Sequence, residues 1–370
     1  MLTKRILAFL LCLVMLLPLV SCAAPTLIAQ DRLNETVEEE TKPDGKKENP
    51  EGKLPPLNQT TTKEEGGLGG GGMMTQSPYE QKVTKILILG NSHTNDVFFQ
   101  LGRVFNAQGF DGQPYMLGFL YYSGCRLTQH VGFLNNNKAV YDYYKTTGTS
   151  YSKQEECTMK KALEDEAWDY IFLHPGGAGD MLDDDLQLEF RRRIEEYVHE
   201  HVKTEHQIAW HFSWPSPVDP TFYSKDYWRQ PPATYKQNYI DNYGFDPIRQ
   251  HTMNTEAIKK NILGDPTYVK TICTGSGIVY ARQVLKVPEL ELYRDYTHLN
   301  DFGRVLAAYC FYAQFTGKPI EEVLLEKVPA GSRQSHYSSL GDLVLTDEQK
   351  RIIKESANYS LEHPWDVAGQ

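Results

Sequence analysis

The chain has 370 residues, with 38 Lys and Arg against 48 Asp and Glu, a formal net charge of −10. So acidic a chain lacks the basic footprint that nucleic-acid binding needs, and no nucleic-acid partner is expected. Hydrophobic residues make up 40% and charged residues 23%, but these averages merge segments of unlike character, which separate when the chain is read from its start.

Residues 1–22 read MLTKRILAFLLCLVMLLPLVSC. Lys4 and Arg5 precede an apolar run from Ile6 to Val20 that is short for a membrane span, the pattern of a secretory signal. The end of the run, Leu19-Val20-Ser21-Cys22, resembles the bacterial lipobox, in which cleavage precedes the cysteine and that cysteine is lipidated. An ordinary signal cut near Ala23-Ala24 is the plainer alternative. The lipobox reading predicts an exported protein, lipid-anchored to the cell membrane through Cys22, with its folded part on the extracytoplasmic side.

Residues 23–82 are polar, with TVEEETKPDGKKENPEGKLPP, a threonine run and GGLGGGG. No apolar period of 2 or 3.6 survives there, so the segment is expected to be a disordered tether. The glycine run lacks a preceding strand and a following Gly-Lys-Ser/Thr, so it is read as linker and not as a phosphate cradle. Residues 83–370 remain as one folded domain, with no internal repeat. Its cysteines are Cys125, Cys157, Cys273 and Cys310. Export permits disulfides, but four cysteines allow three complete pairings. The absence of Cys-x-x-Cys argues against zinc or thioredoxin-like chemistry.

The folded part opens with TKILILG at 84–90, a short apolar run closed by glycine and therefore a predicted buried strand reaching a turn. A helix follows, with Asn95 or Asp96 as its expected cap; Val97, Phe98, Leu101, Val104 and Phe105 share one face and Gly109 ends it. Further strands are predicted at Tyr115–Leu120, Asp169–His174, Gln207–Phe212 and Tyr268–Cys273, with helical patterns near 184–202 and 249–263. Strands alternating with helices predict an α/β/α sandwich on a central parallel sheet. A last helix is predicted from Phe302 to Thr316, capped by Asn300 or Asp301 and stopped by Gly317.

In open α/β sheets ligands collect outside the carboxyl ends of the strands, which is where Gly90-Asn91-Ser92 falls. A serine becomes a useful nucleophile only when a positioned base takes its proton and a third group fixes the base's tautomer. Asp295-Tyr296-Thr297-His298 supplies a carboxylate and an imidazole three residues apart, just ahead of the last helix. Alone, Ser92 could be a turn residue and His298 a packing histidine; together they make a candidate catalytic set.

In these features the chain resembles the SGNH, or GDSL-type, serine hydrolases: Gly90-Asn91-Ser92 stands where that superfamily has Gly-Asp-Ser, and Asp295-x-x-His298-Leu299 matches its C-terminal block. It resembles most an uncharacterised bacterial branch, through ILILGNSHTND, YYSGCRL, WDYIFLHP, CTGSGIVYARQ and RDYTHLNDFGRVLAAYCFYAQFTGKP, which fall in order over most of residues 83–320. The trailing glycine of a Gly-x-Ser-x-Gly elbow is missing, against an α/β-hydrolase. The resemblance implies a flavodoxin-like layered fold, catalysis by Ser92, His298 and Asp295, and an oxyanion hole using the backbone N–H groups of Ser92 and Gly124. The superfamily's Gly-x-Asn-Asp is here Gly177-Ala178-Gly179-Asp180, without the asparagine that donates to the oxyanion. Either His174, at the end of a predicted strand, or a backbone N–H is expected to substitute, or activity is low; a strand-end histidine held by hydrogen bonds is the plainer reading of His174.

His199, His201, His206 and His211 cluster in sequence, but His199 and His201 point to opposite sides of a helix and make a poor metal pair, so a solvated face is expected. Asp183-Asp184-Asp185 suits a helix N-terminus and lacks the alternation of a calcium loop. No metal or cofactor is expected. Residues 210–245 are dense in aromatics and prolines and form an expected insertion. Most of those rings would pack the insertion itself, and Trp214 and Trp228 are the candidates for stacking on a sugar. The combined expectation is a membrane-anchored serine esterase; the resemblance implies an acylated carbohydrate or another small ester as substrate, with acetyl removal first, and hydrolysis and acyl transfer both stay open. The alternative is a non-catalytic surface lipoprotein that keeps the fold and binds glycans.

Overall fold

The computed structural model describes residues 82–176, 184–329 and 342–368. The expected signal, Cys22, the tether up to residue 81 and the Gly177–Asp180 stretch lie outside the described residues. Strand β1 (Thr84–Gly90) leads into helix α1 (Ser92–Gln108) and β2 (Tyr115–Tyr121). Helix α2 (Leu127–Asn135) precedes a hairpin of β3 (Tyr141–Thr146) and β4 (Ser152–Cys157), then α3 (Met159–Asp165) and β5 (Tyr170–Leu173). Next come α4 (Asp184–His201), β6 (Gln207–Phe212), an insertion carrying α5 (Ala233–Tyr243) and α6 (Pro247–Ile258), and β7 (Tyr268–Cys273). Helices α7 (Thr274–Gln283), α8 (Glu289–Leu292) and α9 (Asp301–Thr316), the two-residue strands β8 (Lys327–Val328) and β9 (Leu343–Val344), and α10 (Asp347–Glu362) complete the described chain.

The central sheet has seven strands in the order β4-β3-β2-β1-β5-β6-β7. β2, β1, β5, β6 and β7 run parallel, as expected. The difference from expectation is at one edge, where β3 and β4 pair antiparallel. β4 reads Ser-Lys-Gln-Glu-Glu-Cys and is mostly exposed, so the sheet ends in a charged strand that discourages pairing with another chain.

β1 explains why its sequence is apolar without a break. Ile86 and Ile88 face one cluster, with α1 and α9, while Leu87 and Leu89 face the other, with α3 and α4. All four are 0–1% exposed, and a strand covered on both faces has no solvent side on which to place a polar residue. Each such side chain contributes roughly 1.5–3 kcal/mol on burial. Helices therefore flank both faces, and the three-layer α/β/α sandwich holds.

Several local expectations shift. The cap of α1 is Asn91, whose Oδ1 accepts from the His93 N–H at 3.0 Å; the helix starts at Ser92, and Asp96 is buried inside it with another task. The helix expected at 249–263 is α6, continued by a π turn over Lys259–Leu263. Asn300 caps α9 by accepting from the Gly303 N–H, and Gly317 closes it at φ 69°. Cys125, Cys157, Cys273 and Cys310 are all buried thiols. Among the described residues no helix is long and apolar enough to cross a membrane.

Candidate active site

The sheet reverses its winding at β1: the chain goes from β1 to β2 on one side and later returns to β5 on the other. A crevice opens at the carboxyl ends of strands where the order reverses, and Ser92 lies there, partly exposed, as the first residue of α1. Its N–H belongs to the first helical turn, which no helical carbonyl can reach. Gly90 makes the sharp exit from β1 possible: a Cβ on it would lie 2.1 Å from Thr94 Oγ1.

Asn91 does two jobs. While its Oδ1 caps α1, its Nδ2 donates to the Cys125 carbonyl at 3.0 Å. That bond draws the Gly124-Cys125 turn against the start of α1. Gly124 is exposed and takes φ +61°, a conformation open to glycine at little cost.

Asp295 and His298 meet as their spacing predicts. His298 Nδ1 lies 2.9 Å and 3.0 Å from the two carboxylate oxygens of Asp295. Asp295 Oδ1 also accepts the backbone N–H groups of Thr297 and His298 at 2.9 and 2.8 Å. A carboxylate can only accept, so Nδ1 carries the proton and Nε2 is left as the basic nitrogen. Asp295 is fully buried and His298 is 4% exposed. Burial opposes the Asp295 charge, but the hydrogen bonds from His298 and the backbone outweigh it and hold the carboxyl below its ordinary range.

Sequence reasoning overlooked His93, which joins the Ser92 turn to the Asp295–His298 segment. Its ring meets that of His298 edge-on at 5.6 Å between centroids and stacks on Trp214 at 5.2 Å. Its Nε2 lies 2.8 Å from Thr297 Oγ1 and its Nδ1 2.9 Å from Ser213 Oγ. Burial, seconded by the neighbouring His298, lowers its pKa to about 3, so the ring is neutral near pH 7. No sequence signal marks it, because its partners lie 120 and 204 residues away.

His174 does not fit the part of oxyanion donor. Its Nδ1 lies 3.1 Å from the His211 carbonyl oxygen, which can only accept. The ring proton is therefore on Nδ1, and the buried Nε2 presents a lone pair. Burial, with His93 adding to it, lowers the pKa to about 3, so no second proton is available near neutral pH. The plainer expectation, a strand-end histidine held by a hydrogen bond, describes it.

The two candidate tryptophans part company. Trp214 is 2% exposed, covered by its stack on His93 and its indole bond to the Thr297 carbonyl at 3.0 Å, so it has no face to offer a sugar. Trp228 is 48% exposed. Its indole N–H and the Tyr227 hydroxyl both donate to the Arg294 carbonyl, at 3.2 and 2.7 Å, and Arg229 Nη1 lies 3.6 Å from Asp295 Oδ2. The insertion thus borders the Asp295 turn. Of the expected solvated histidines, His199 is exposed and bonds half-buried His206, whereas His201 and His211 are buried, against expectation. Among the described residues no group of His, Cys, Asp or Glu is arranged to hold a metal.

Fold and site define a layered α/β protein with a serine turn and an Asp-bound histidine at the switch point of its sheet. The chain belongs to the family described as a domain of unknown function, DUF4886, whose model matches residues 85–337. Its fold is similar to the 1.50 Å crystal structure of a DUF4886 family protein from Bacteroides uniformis ATCC 8492, at 23% identity, covering 78% of this chain and 98% of that chain, with a TM-score of 0.60. A proposed SGNH hydrolase from Slackia heliotrinireducens aligns over 63% of this chain and 100% of that chain at 16% identity, with a TM-score of 0.35. No curated protein matches the chain.

Proposed function

We propose that the protein is a serine esterase of the SGNH type, exported and held at the membrane through Cys22, which removes an acyl group, acetyl in the first instance, from a carbohydrate ester. The observation that carries the reading is the buried Asp295–His298 pair set beside the turn that bears Ser92. In the reaction Ser92 Oγ attacks the ester carbonyl and His298 Nε2 takes its proton, while Asp295 keeps the ring oriented and stabilises the imidazolium. The tetrahedral oxyanion sits toward the N–H groups of Ser92 and Gly124. Collapse expels the alcohol, which takes the proton from His298, and water then releases the acid from the acyl-enzyme by the same two transfers. Trp228 offers the face on which the sugar ring would stack.

The test uses the full-length chain with a fluorophosphonate probe and acetylated sugars. Labelling at Ser92, acetate release, and loss of both in Ser92→Ala are the expected results; undiminished turnover by Ser92→Ala would refute the mechanism. Binding of glycans by an unlabelled wild-type chain would favour the non-catalytic alternative. The anchor predicts that Cys22→Ser moves the protein from the membrane fraction to the soluble one.

A further inference from the structure

We infer that Asp96 is a positioning residue that fixes His298 relative to Ser92. The inference rests on the esterase reading and extends it to a group that touches no substrate. Asp96 lies one helical turn after Ser92 on α1, fully buried. Its Oδ2 accepts the N–H of Leu299, the residue after His298, at 2.9 Å. Its Oδ1 accepts from Arg294 Nη1 and from Arg304 Nε, both at 2.8 Å. One carboxylate therefore joins the serine helix, the turn that carries Asp295 and His298, and α9.

The turn is pinched at its base, and Asp96 holds the pinch. Tyr293 and Leu299 form an isolated antiparallel bridge, and the Arg294 N–H donates to the His298 carbonyl at 2.9 Å. The Arg294 guanidinium also bonds the Leu299 carbonyl. Both ends of the segment between Arg294 and Leu299 are thus tied, directly or through Arg294, to the same carboxylate. Charge closes around it: Arg294 and Arg304 face Asp96, and Asp301 lies 3.7 Å from Arg304 Nη1, so two buried cations meet two acids. Breaking one partner of such a set leaves the others uncompensated, which gives the arrangement a single stable geometry. Reacting groups misplaced by about 1 Å lose about 10²-fold in rate, so the anchor acts on the chemical step and not on substrate affinity.

The experiment compares full-length wild type, Ser92→Ala, Asp96→Asn and Arg294→Lys. For each, the fluorophosphonate labelling rate and the kcat and KM for p-nitrophenyl acetate are measured well below that variant's own unfolding midpoint. Asp96→Asn keeps the volume and one acceptor oxygen but loses the charge. It is expected to lower labelling rate and kcat about 10²-fold with KM within about threefold of wild type. A purely structural role would lower the melting temperature while folded molecules kept the wild-type kcat, and that result overturns the inference. Should Asp96→Asn fail to fold, Arg294→Lys decides: it keeps the cation but loses the planar fork, and roughly tenfold slower labelling is expected, whereas a wild-type rate overturns the inference. An inert, unlabelled wild type would refute the esterase reading itself, whereas an active wild type with a normal Asp96→Asn removes only the role of Asp96.

Discussion

Mild acid should destabilise this fold well before its carboxylates titrate. His130, His174, His211 and His251 are 0–1% exposed. Burial lowers His130 to about 4 and His174 and His251 to about 3, and places His211 well below its ordinary value. In the unfolded chain each returns to about 6.5. Between pH 7.5 and 5.5 the unfolded state therefore takes up protons that the folded state refuses, and stability falls as pH falls. A histidine that stays neutral when folded loses about 1.4 kcal/mol over that interval, and four lose roughly 5 kcal/mol, a large part of the 5–15 kcal/mol of an ordinary domain. Asp96 and Asp295 carry depressed pKa values as well; their contribution is present above the ordinary carboxylate range and is lost only below about pH 4. The assay is urea unfolding at pH 7.5, 6.5 and 5.5 at constant ionic strength, read by fluorescence of the buried Trp168 and Trp210. A loss smaller than about 1.4 kcal/mol across the interval would mean that no more than one of the four remains neutral, and would refute the reasoning.

Replacing His174 by Ala should cost less than about tenfold in kcat, because its free nitrogen accepts and does not donate; removal of a true oxyanion donor costs about 10²–10³, and a loss of that size in a folded variant would restore the donor role. Replacing Trp228 by Ala should raise KM for an acetylated sugar roughly 2- to 10-fold and leave kcat on p-nitrophenyl acetate unchanged. An unaltered KM would remove Trp228 from the substrate site.

The parallel strands were legible because burial on both faces demands unbroken apolar runs such as Ile86-Leu87-Ile88-Leu89. The β3–β4 hairpin was not, since Tyr-Asp-Tyr-Tyr-Lys-Thr mixes tyrosines with charges and β4, at the edge, is polar. In the site, Asp295 and His298 were legible because three residues separate them and a turn suffices to join them. Asp96 looked like a helix cap, because short acids usually cap and its partners Arg294 and Arg304 lie 198 and 208 residues away. Trp214 and Trp228 were indistinguishable in the sequence, since what separates them is the stack on His93.

Asn91 has a physical reason to be an amide and not a carboxylate. Its side chain must accept on one end, from the His93 N–H, and donate on the other, to the Cys125 carbonyl. A carboxylate can do only the first: aspartate at this position would set oxygen against oxygen and push the Gly124 turn away from Ser92. The amide therefore acts as a two-ended clasp, and asparagine, not aspartate, is the residue that this loop pairing requires.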